Sequence, residues 1–329
     1  MSVPVEARSR RLPAFLTPDR LRLVFAFGAA VLVFGVGAAL HPGFASPASV
    51  KAILLTASFV GFVAAGQTFV VLIGGIDLSV PWVLNGAAIV LVTTSLGRDS
   101  RVWWAVPLTL AMGLAFGMCS GIAVAFLAVP AVVITLAMNG VAQGLTLGLS
   151  KGLTCSSCAS YAPKTVRDAV TSKVIGVPSG LFLWLGVALL ITFLLSFTTF
   201  GRRVYAIGNN PYASFLAGVN VRLVTVVLYM LSGLFAALAG ITLAAYGGQA
   251  SLGMGDPYLF QSIAAVVIGG VSILGGRGHY LGTVAGSATL VALVSLLLAE
   301  NMPDWGRDIV YGCAILGILL LYGRERGEA

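Results

Sequence analysis

Long runs of apolar residues, separated by short polar or glycine- and proline-rich connections, fill most of the chain. A helix that crosses the hydrocarbon core of a membrane needs about 20 predominantly apolar residues. Apolar and polar residues alternate along the strands of a membrane barrel, but they do not alternate within these runs. The pattern therefore predicts an all-α, polytopic bundle of transmembrane helices. Ten spans are expected, at Leu23–Leu40, Ile53–Ile73, Trp82–Leu96, Val102–Val129, Ala131–Leu149, Leu181–Phe197, Leu223–Tyr246, Leu259–Leu274, Tyr280–Leu298 and Ile309–Tyr322.

Composition supports a membrane protein and excludes a soluble one. Hydrophobic residues make up 58% of the chain and charged residues only 9%, whereas a soluble domain carries about 25% charged residues. The net charge of +8 comes from basic residues dispersed among the connections, which does not indicate a nucleic-acid partner. Lipid is therefore the expected surroundings.

An even number of spans places both termini on one side of the membrane. Basic residues gather at the two ends and in the connection Gly201–Arg222, which indicates that these segments are cytoplasmic. We expect a basic tail at 1–22, one membrane domain at 23–322 and a second tail at 323–329, with an uncleaved first span. The connection Ser150–Gly180, external in this topology, weakens the charge asymmetry because it holds Lys151, Lys164, Arg167 and Lys173.

Two short stretches, Val70–Asp77 and Ala265–Ser272, resemble each other and each contains a pair of glycines. In transporters, apolar segments interrupted by glycine in corresponding halves mark broken helices near the substrate path. The stretches therefore predict a pseudo-repeat within the bundle.

Glycines recur every four residues in three spans, so that each set lies along one helix face. Such faces let helix backbones approach closely in lipid. We expect close helix packing at the sets Gly113/Gly117/Gly121, Gly140/Gly144/Gly148 and Gly278/Gly282/Gly286.

A carboxylate, Asp77, lies between two apolar runs in the stretch Gly74–Pro81. Ionisable groups at such positions are costly and usually face a cavity or the bundle interior. Asp77 or Ser79 is also suited to cap the next helix, with Pro81 in its first turn. Capping and direct solute contact both remain open for Asp77.

Other polar groups within the spans are suited to bind a passing solute or to bond neighbouring helices. The candidate translocation-path residues are Gln67, Gly74, Gly75, Asp77, Ser79, Asn85 and Gln261.

A second motif, Asn210–Gly218, has the pattern of a short capped helix between two spans. Asn210 is suited as N-cap, Pro211 as first residue and Gly218 as C-terminal stop. The pattern alone fits either a lever for a soluble partner or an ordinary surface loop.

Residues for catalysis and for nucleotide or metal binding are missing from the sequence. None of the four lysines completes a G-x-x-x-x-G-K-[ST] phosphate loop, so any ATP must be hydrolysed by another chain. His41 and His279 stand alone near turns, and Cys155-x-x-Cys158 lacks further zinc ligands and is either bridged or free. No catalytic residue, metal or bound cofactor is expected.

Three stretches in order resemble the ribose-type sugar permeases of bacterial ABC importers, which are related more distantly to branched-chain amino-acid permeases. The similarity runs from about Phe44 to Tyr322. It rests on Gly66–Phe69 with Gly74–Val80, on Gly201–Pro211, and on Ile263–Gly270 with Gly275–Gly278. Two departures are Pro81, where many relatives have Gly, and Tyr212-Ala213-Ser214, where relatives have an acidic-Ala-Ala sequence.

This resemblance implies a multi-pass permease subunit of the bacterial inner membrane that imports a monosaccharide or similar solute. It implies as partners a pair of ATPase subunits, an extracytoplasmic solute-binding protein and a second permease copy or paralogue. It also implies that the short helix couples to the ATPase, through Asn210, Pro211, Tyr212, Ala213, Ser214, Phe215 and Gly218. The alternatives are a permease for branched-chain amino acids or other small solutes and an ion-coupled secondary carrier; scarce histidines and carboxylates argue against a membrane enzyme.

Overall fold

The computed structural model describes residues 18–127, 129–150, 152, 161–303, 305–307, 309–313 and 316–317. Within these ranges the helices are α1 (Pro18–Leu40), α2 (Pro47–Leu72), α3 (Val80–Ser95), α4 (Val102–Phe126), α5 (Ala131–Ser150), α6 (Lys164–Thr171), α7 (Ser179–Phe197), α8 (Thr199–Asn209), α9 (Pro211–Leu216), α10 (Val221–Gly247), α11 (Tyr258–Ile268) and α12 (Tyr280–Ala299). A 3-10 turn at Asp99–Arg101 precedes α4. The strands β1 (Lys173–Val174) and β2 (Val177–Pro178) form an antiparallel hairpin that pairs Lys173 with Pro178 and Val174 with Val177.

The fold confirms an all-α polytopic membrane protein. Among the described residues, seven helices are long and apolar enough to cross a membrane: α1, α2, α4 with its preceding turn, α5, α7, α10 and α12. The apolar helices α3 and α11 are shorter. Of the predicted tenth span, residues 309–313 and 316–317 are helical, and its end lies outside the described residues.

The predicted span Leu259–Leu274 is wrong in its second half, because α11 ends at Ile268. Gly270 adopts φ +80°, a left-handed conformation that ends helices. The following residues run irregularly until α12 begins at Tyr280. The apolar run therefore contains an 11-residue helix and part of a loop.

Helix α10 lies at the centre of the bundle and packs along α2, α3 and α4. The predicted close approach at Gly113, Gly117 and Gly121 is confirmed, since a Cβ atom on each would collide with the backbone of α10. Gly282 and Gly286 of α12 lie equally close to the backbone of α11. These contacts bring the helix backbones together at the core.

The set Gly140/Gly144/Gly148 does not make such a contact. A Cβ atom at any of the three would meet no other described atom within 4 Å. Helix α5 lies at the edge of the bundle, and its buried residues Ile134, Thr135 and Ala142 lie on another face. The expectation of close packing at this set is therefore wrong within the described chain.

Helices α1 and α7 present large apolar side chains to the surroundings, among them Phe25, Val31, Leu189 and Phe193. Water would not support such continuous apolar faces. The hydrocarbon of a bilayer removes this cost, which agrees with the membrane assignment.

The connection between α5 and α7 is tied to the start of α4. The backbone N–H of Thr165, in α6, donates to Asp99 Oδ1 at 2.8 Å. Cys155 and Cys158 lie outside the described residues.

Candidate functional site

Helices α2 and α11 end in the same backbone geometry. The N–H groups of Gly75 and Gly74 donate to the carbonyls of Val70 and Val71, and Gly74 has φ +79°. In α11, the N–H groups of Val271 and Gly270 donate to Val266 and Val267, and Gly270 has φ +80°. Both are the paired bonds of a glycine-terminated helix end. By backbone geometry Gly74 corresponds to Gly270. Aligning the two stretches by sequence pairs Gly74 with Gly269 instead, one residue earlier.

Asp77 is buried, with 1% of its surface exposed, and both carboxylate oxygens are occupied. Oδ1 accepts from the N–H of Ser79 at 2.9 Å and from its hydroxyl at 2.6 Å. Oδ2 accepts from the hydroxyl of Ser232, in α10, at 2.7 Å. Asp77 therefore ties the loop after α2 to the central helix.

Neither Asp77 nor Ser79 bonds to a backbone N–H within α3, so the capping alternative is wrong, although Pro81 lies where it was predicted. Asp77 accepts the N–H of Ser79, the residue that immediately precedes α3, and Pro81 lies in the first turn. The Ser79 side chain makes no capping hydrogen bond to α3, and its hydroxyl donates to Asp77 Oδ1. The charge of the carboxylate strengthens this bond.

Tyr229 and Ser232 of α10 complete this cluster and were not foreseen from the sequence. A Cβ atom on Gly75 would lie 2.6 Å from the Tyr229 hydroxyl, and one on Gly66 would lie 2.8 Å from Ser232 Cα. Gly66 and Gly75 thus let α2 and its loop approach α10. The sequence signal is that Tyr229 and Ser232 are polar residues about one turn apart within a mainly apolar helix.

The hydrogen-bond partners of Asp77 do not include the remaining candidate path residues Gln67, Asn85 and Gln261. Gln67 is fully buried in α2, and neither of its side-chain polar atoms has a hydrogen-bond partner among the described residues. The side-chain oxygen of Asn85 accepts from the N–H of Gly255 at 3.1 Å. Gln261 is half-buried and lines an open cleft at the start of α11. Unpaired buried amides such as Gln67 are uncommon and call for a water or ligand partner.

The loops after α2 and α11 meet the end of α8 at a cluster that we call the glycine junction: Leu72, Gly74, Gly208, Gly275 and Gly276. The N–H of Gly276 donates to the carbonyl of Leu72 at 2.8 Å. A Cβ atom on Gly208 would collide with Leu72 and Gly276. Three chain segments therefore share one close backbone contact.

A side-chain bond adds to the junction, since the Tyr205 hydroxyl, on α8, donates to the carbonyl of Gly278 at 2.8 Å. Helix α9 follows α8 after a single residue, Asn210. The chain therefore joins α9 directly to the end of α8 that carries Gly208 of the glycine junction.

The predicted short helix is confirmed as α9. The Asn210 side chain accepts from the N–H of Ala213 at 2.9 Å, and Pro211 is the first helical residue. At the other end Gly218, with φ +83°, donates to the carbonyl of Phe215 at 2.9 Å. Ser214 is buried.

Helix α9 exposes three large apolar side chains together. Tyr212, Phe215 and Leu216 are 72%, 64% and 67% exposed. The adjoining cavity is also mainly apolar, with Phe126 and Val226 in its lining. This surface has the apolar character of a protein-docking site.

Each of the two histidines makes a side-chain hydrogen bond to a residue distant in the sequence, His41 to Glu300 and His279 to Ser196. His279 Nδ1 accepts from the N–H of Leu281 at 3.3 Å at the start of α12, and His41 Nε2 lies 2.9 Å from Glu300 Oε1. Within the described residues, no group of three or more His, Cys, Asp or Glu side chains is placed to hold a metal ion.

A membrane bundle with two glycine-broken segments and a capped connecting helix is the architecture of a transport subunit. The family described as "Branched-chain amino acid transport system / permease component" matches residues 49–319, and the chain belongs to it. It is a multi-pass inner-membrane transport component rather than an enzyme.

Individual relatives are import permeases. The chain is 34% identical, over 93% of its length and 87% of the relative, to the "Autoinducer 2 import system permease protein LsrC" of Klebsiella pneumoniae. It is 32% identical to the LsrC protein of Salmonella typhimurium, over 91% of this chain and 84% of the relative. The "Ribose import permease protein RbsC" of Haemophilus influenzae is 30% identical to this chain, over 89% of this chain and 91% of the relative. No solved structure matches the chain.

Proposed function

We propose that the chain is the transmembrane permease of a binding-protein-dependent ABC importer for a monosaccharide or similar small polyhydroxylated solute. The observation that carries this proposal is α9, a short helix with a cap at each end and three exposed apolar side chains. Such a surface, immediately beside the glycine junction, suits a helix pushed by a separate motor subunit. The substrate class is supported by the ribose and autoinducer 2 import names of the relatives.

The assembly we propose contains this chain, a second permease copy or paralogue, two ATPase subunits and an extracytoplasmic binding protein. ATP is used by the ATPase subunits, and this chain binds no cofactor. Closure of the ATPase pair moves α9, and the glycine junction passes the movement to the loops after α2 and α11. The loop after α2 carries Gly74, Gly75, Asp77 and Ser79 of the proposed path, so the path opens first outward and then inward.

The proposed topology has ten spans with both termini in the cytoplasm. The long helices, the shorter α3 and α11, and the C-terminal segment supply the ten crossings. The matching ends of α2 and α11 support a pseudo-repeat. Cytoplasmic placement of α9 puts Arg202, Arg203, Arg222 and Arg277 on that side, in agreement with the positive-inside rule.

The family's description favours a second candidate, a permease for branched-chain amino acids. Membranes containing the tagged chain provide the test: an ATP-binding subunit should copurify, and vesicles should accumulate D-ribose or a related sugar only with ATP. Accumulation of L-leucine instead would establish the second candidate. Uptake that survives loss of ATP but stops with loss of an ion gradient would contradict both and indicate a secondary carrier.

A further inference from the structure

A cleft of about 800 Å³ opens at the end of the bundle opposite α9. Its walls are the C-terminal end of α10, the loop that follows, the start of α11 and the last turns of α12. The volume lies within the range of about 300–1,000 Å³ that is typical of small-molecule sites. Helix α10 begins near α9 and ends at this cleft, and its 27 residues span about 40 Å at the helical rise.

The lining of the cleft is rich in neutral hydrogen-bonding groups. It contains the amides of Gln249 and Gln261, the hydroxyl of Ser251, and the rings of Tyr246 and Tyr258. Amides and hydroxyls both donate and accept, as the hydroxyl groups of a polyol do. Tyrosine adds an apolar ring with a polar edge.

The charged groups of the cleft are of opposite sign. Asp256 and Arg307 both line it. The lining therefore gives no preference for a solute with a net charge. The larger number of neutral polar groups favours an uncharged polyhydroxylated solute, while a zwitterion is the alternative that the experiment must separate.

Helix α11 links the cleft to the glycine junction. Its first turn contributes Tyr258 and Gln261 to the cleft wall. The loop after its last residue, Ile268, contains Gly275 and Gly276, which contact Leu72 and Gly208. Occupancy of the cleft and movement of α9 thus act on opposite ends of one short helical segment.

We propose that this cleft is the entry site at which a small polyhydroxylated solute first binds the membrane subunit after release from the binding protein. The proposal rests on the proposed import function and adds a solute site within a single permease chain. Gln261 and Asp256 bind the solute directly, and α11 communicates its presence to the junction.

The experiment uses the permease assembled with its ATPase in nanodiscs, without the binding protein. Ser251→Cys is placed in a background in which the native cysteines are serine, and its labelling by a bulky maleimide is timed. D-ribose, D-xylose and L-leucine are the probes, and ATP-dependent uptake by the complete assembly identifies which one is imported. By mass action, labelling should slow about threefold when the imported sugar is present at about twice its Kd.

Two substitutions and a matched control complete the test. Gln261→Leu and Asp256→Asn should abolish this protection and lower uptake at saturating binding protein. Asp168→Asn makes the same charge change on the exposed face of α6, outside the cleft, and should leave protection intact. The concentration of binding protein that gives half-maximal ATPase stimulation should not change in the cleft variants.

The outcomes separate the two proposals. Absence of ATP-dependent uptake of any probe by the native assembly would overturn the proposed import function and the entry site with it. Uptake of a sugar without protection of the cysteine at position 251 would overturn the entry site alone, as would weaker stimulation by the binding protein in both cleft variants. Protection and uptake with L-leucine would overturn the polyhydroxylated class.

Discussion

At the scale of single residues, Asp77 accepts three hydrogen bonds that join the loop after α2 to α10. Asparagine offers one oxygen acceptor and an NH₂ group, which cannot accept from the Ser79 or Ser232 hydroxyl. A buried group left unpaired costs about 1–3 kcal/mol. We expect Asp77→Asn to assemble with the ATPase through the distant α9 but to import solute several-fold more slowly.

Copurification of the ATPase and initial uptake rates measure the two properties of the Asp77 variant separately. Ser232→Ala, which removes one of the three bonds, should give a smaller loss. A variant that assembles and transports like the native chain would show that the ionised form of Asp77 is not needed.

Removal of the Tyr229 hydroxyl, unlike removal of the bonds to Asp77, is not expected to harm the protein. Its hydroxyl is buried and has no hydrogen-bond partner among the described residues. Removing an unpaired buried hydroxyl relieves its desolvation cost. Tyr229→Phe should therefore melt at the same temperature as the native protein or higher, measured in detergent by tryptophan fluorescence. A clear fall would mean that a bound water or solute pairs with the hydroxyl.

At the scale of elements, the glycine junction requires that α8 carry no side chain at Gly208. A Cβ atom there would strike the carbonyl of Leu72 and the N–H of Gly276. Overpacking of this kind costs about 1–3 kcal/mol, and that energy shifts an equilibrium between two states about 5- to 150-fold. We expect Gly208→Ala to lower uptake within that range.

Gly186→Ala is the matched control for the junction. Gly186 lies on the exposed face of α7, where a Cβ atom meets no described atom within 4 Å. Uptake and melting temperature should not change in this variant. Equal uptake by the Gly208 and Gly186 variants would contradict the role of the junction.

Helix α9 depends on Gly218 for its end, because that residue adopts φ +83°. A β-branched residue is strained there by about 1–3 kcal/mol, although the space around it is open. Gly218→Val should uncouple ATP hydrolysis from uptake while membrane insertion stays normal. Asparagine tolerates this conformation, so Gly218→Asn should keep the coupling ratio near that of the native protein. An unchanged ratio of solute imported per ATP in the valine variant would refute this.

The elements that the sequence predicts correctly depend on local chemistry. The caps of α9 involve residues three or four positions apart, and the break after α2 depends on adjacent glycines. The end of α11 was missed because the predicted span followed the apolar run through Ile273 and Leu274, although the pair Gly269-Gly270 marked the break. The partners of Asp77 were missed because Ser232 is 155 residues away, and only the packing of α10 against the loop brings them together.

At the scale of the whole molecule, the central position of α10 organises both ends of the bundle. Its N-terminal end adjoins α9, and its C-terminal end forms the wall of the cleft. The apolar runs predict a bundle of membrane-crossing helices but not which helix is central. Helix α10 can pack closely against α4 because Gly113, Gly117 and Gly121 have no side chains, which leaves room for the α10 backbone. The similar set on α5 meets no described neighbour, so spacing alone did not distinguish the two helices.

The last prediction concerns which connections lie on each side of the membrane, because the distribution of charge indicates this orientation only weakly. Tyr212 of α9 and Ile175 of the β1–β2 hairpin are 72% and 93% exposed and lie at connections that the ten-span topology puts on opposite sides. In a cysteine-free background, a membrane-impermeant maleimide applied to intact cells should label Ile175→Cys, whereas Tyr212→Cys should react only after the membrane is opened. Phe25→Cys, on the lipid-facing surface of α1, should react in neither condition, because a thiol in hydrocarbon stays protonated and the reagent cannot reach it. Labelling of both connections from the same side would require an even number of crossings between them, and the proposed arrangement of spans would then fail.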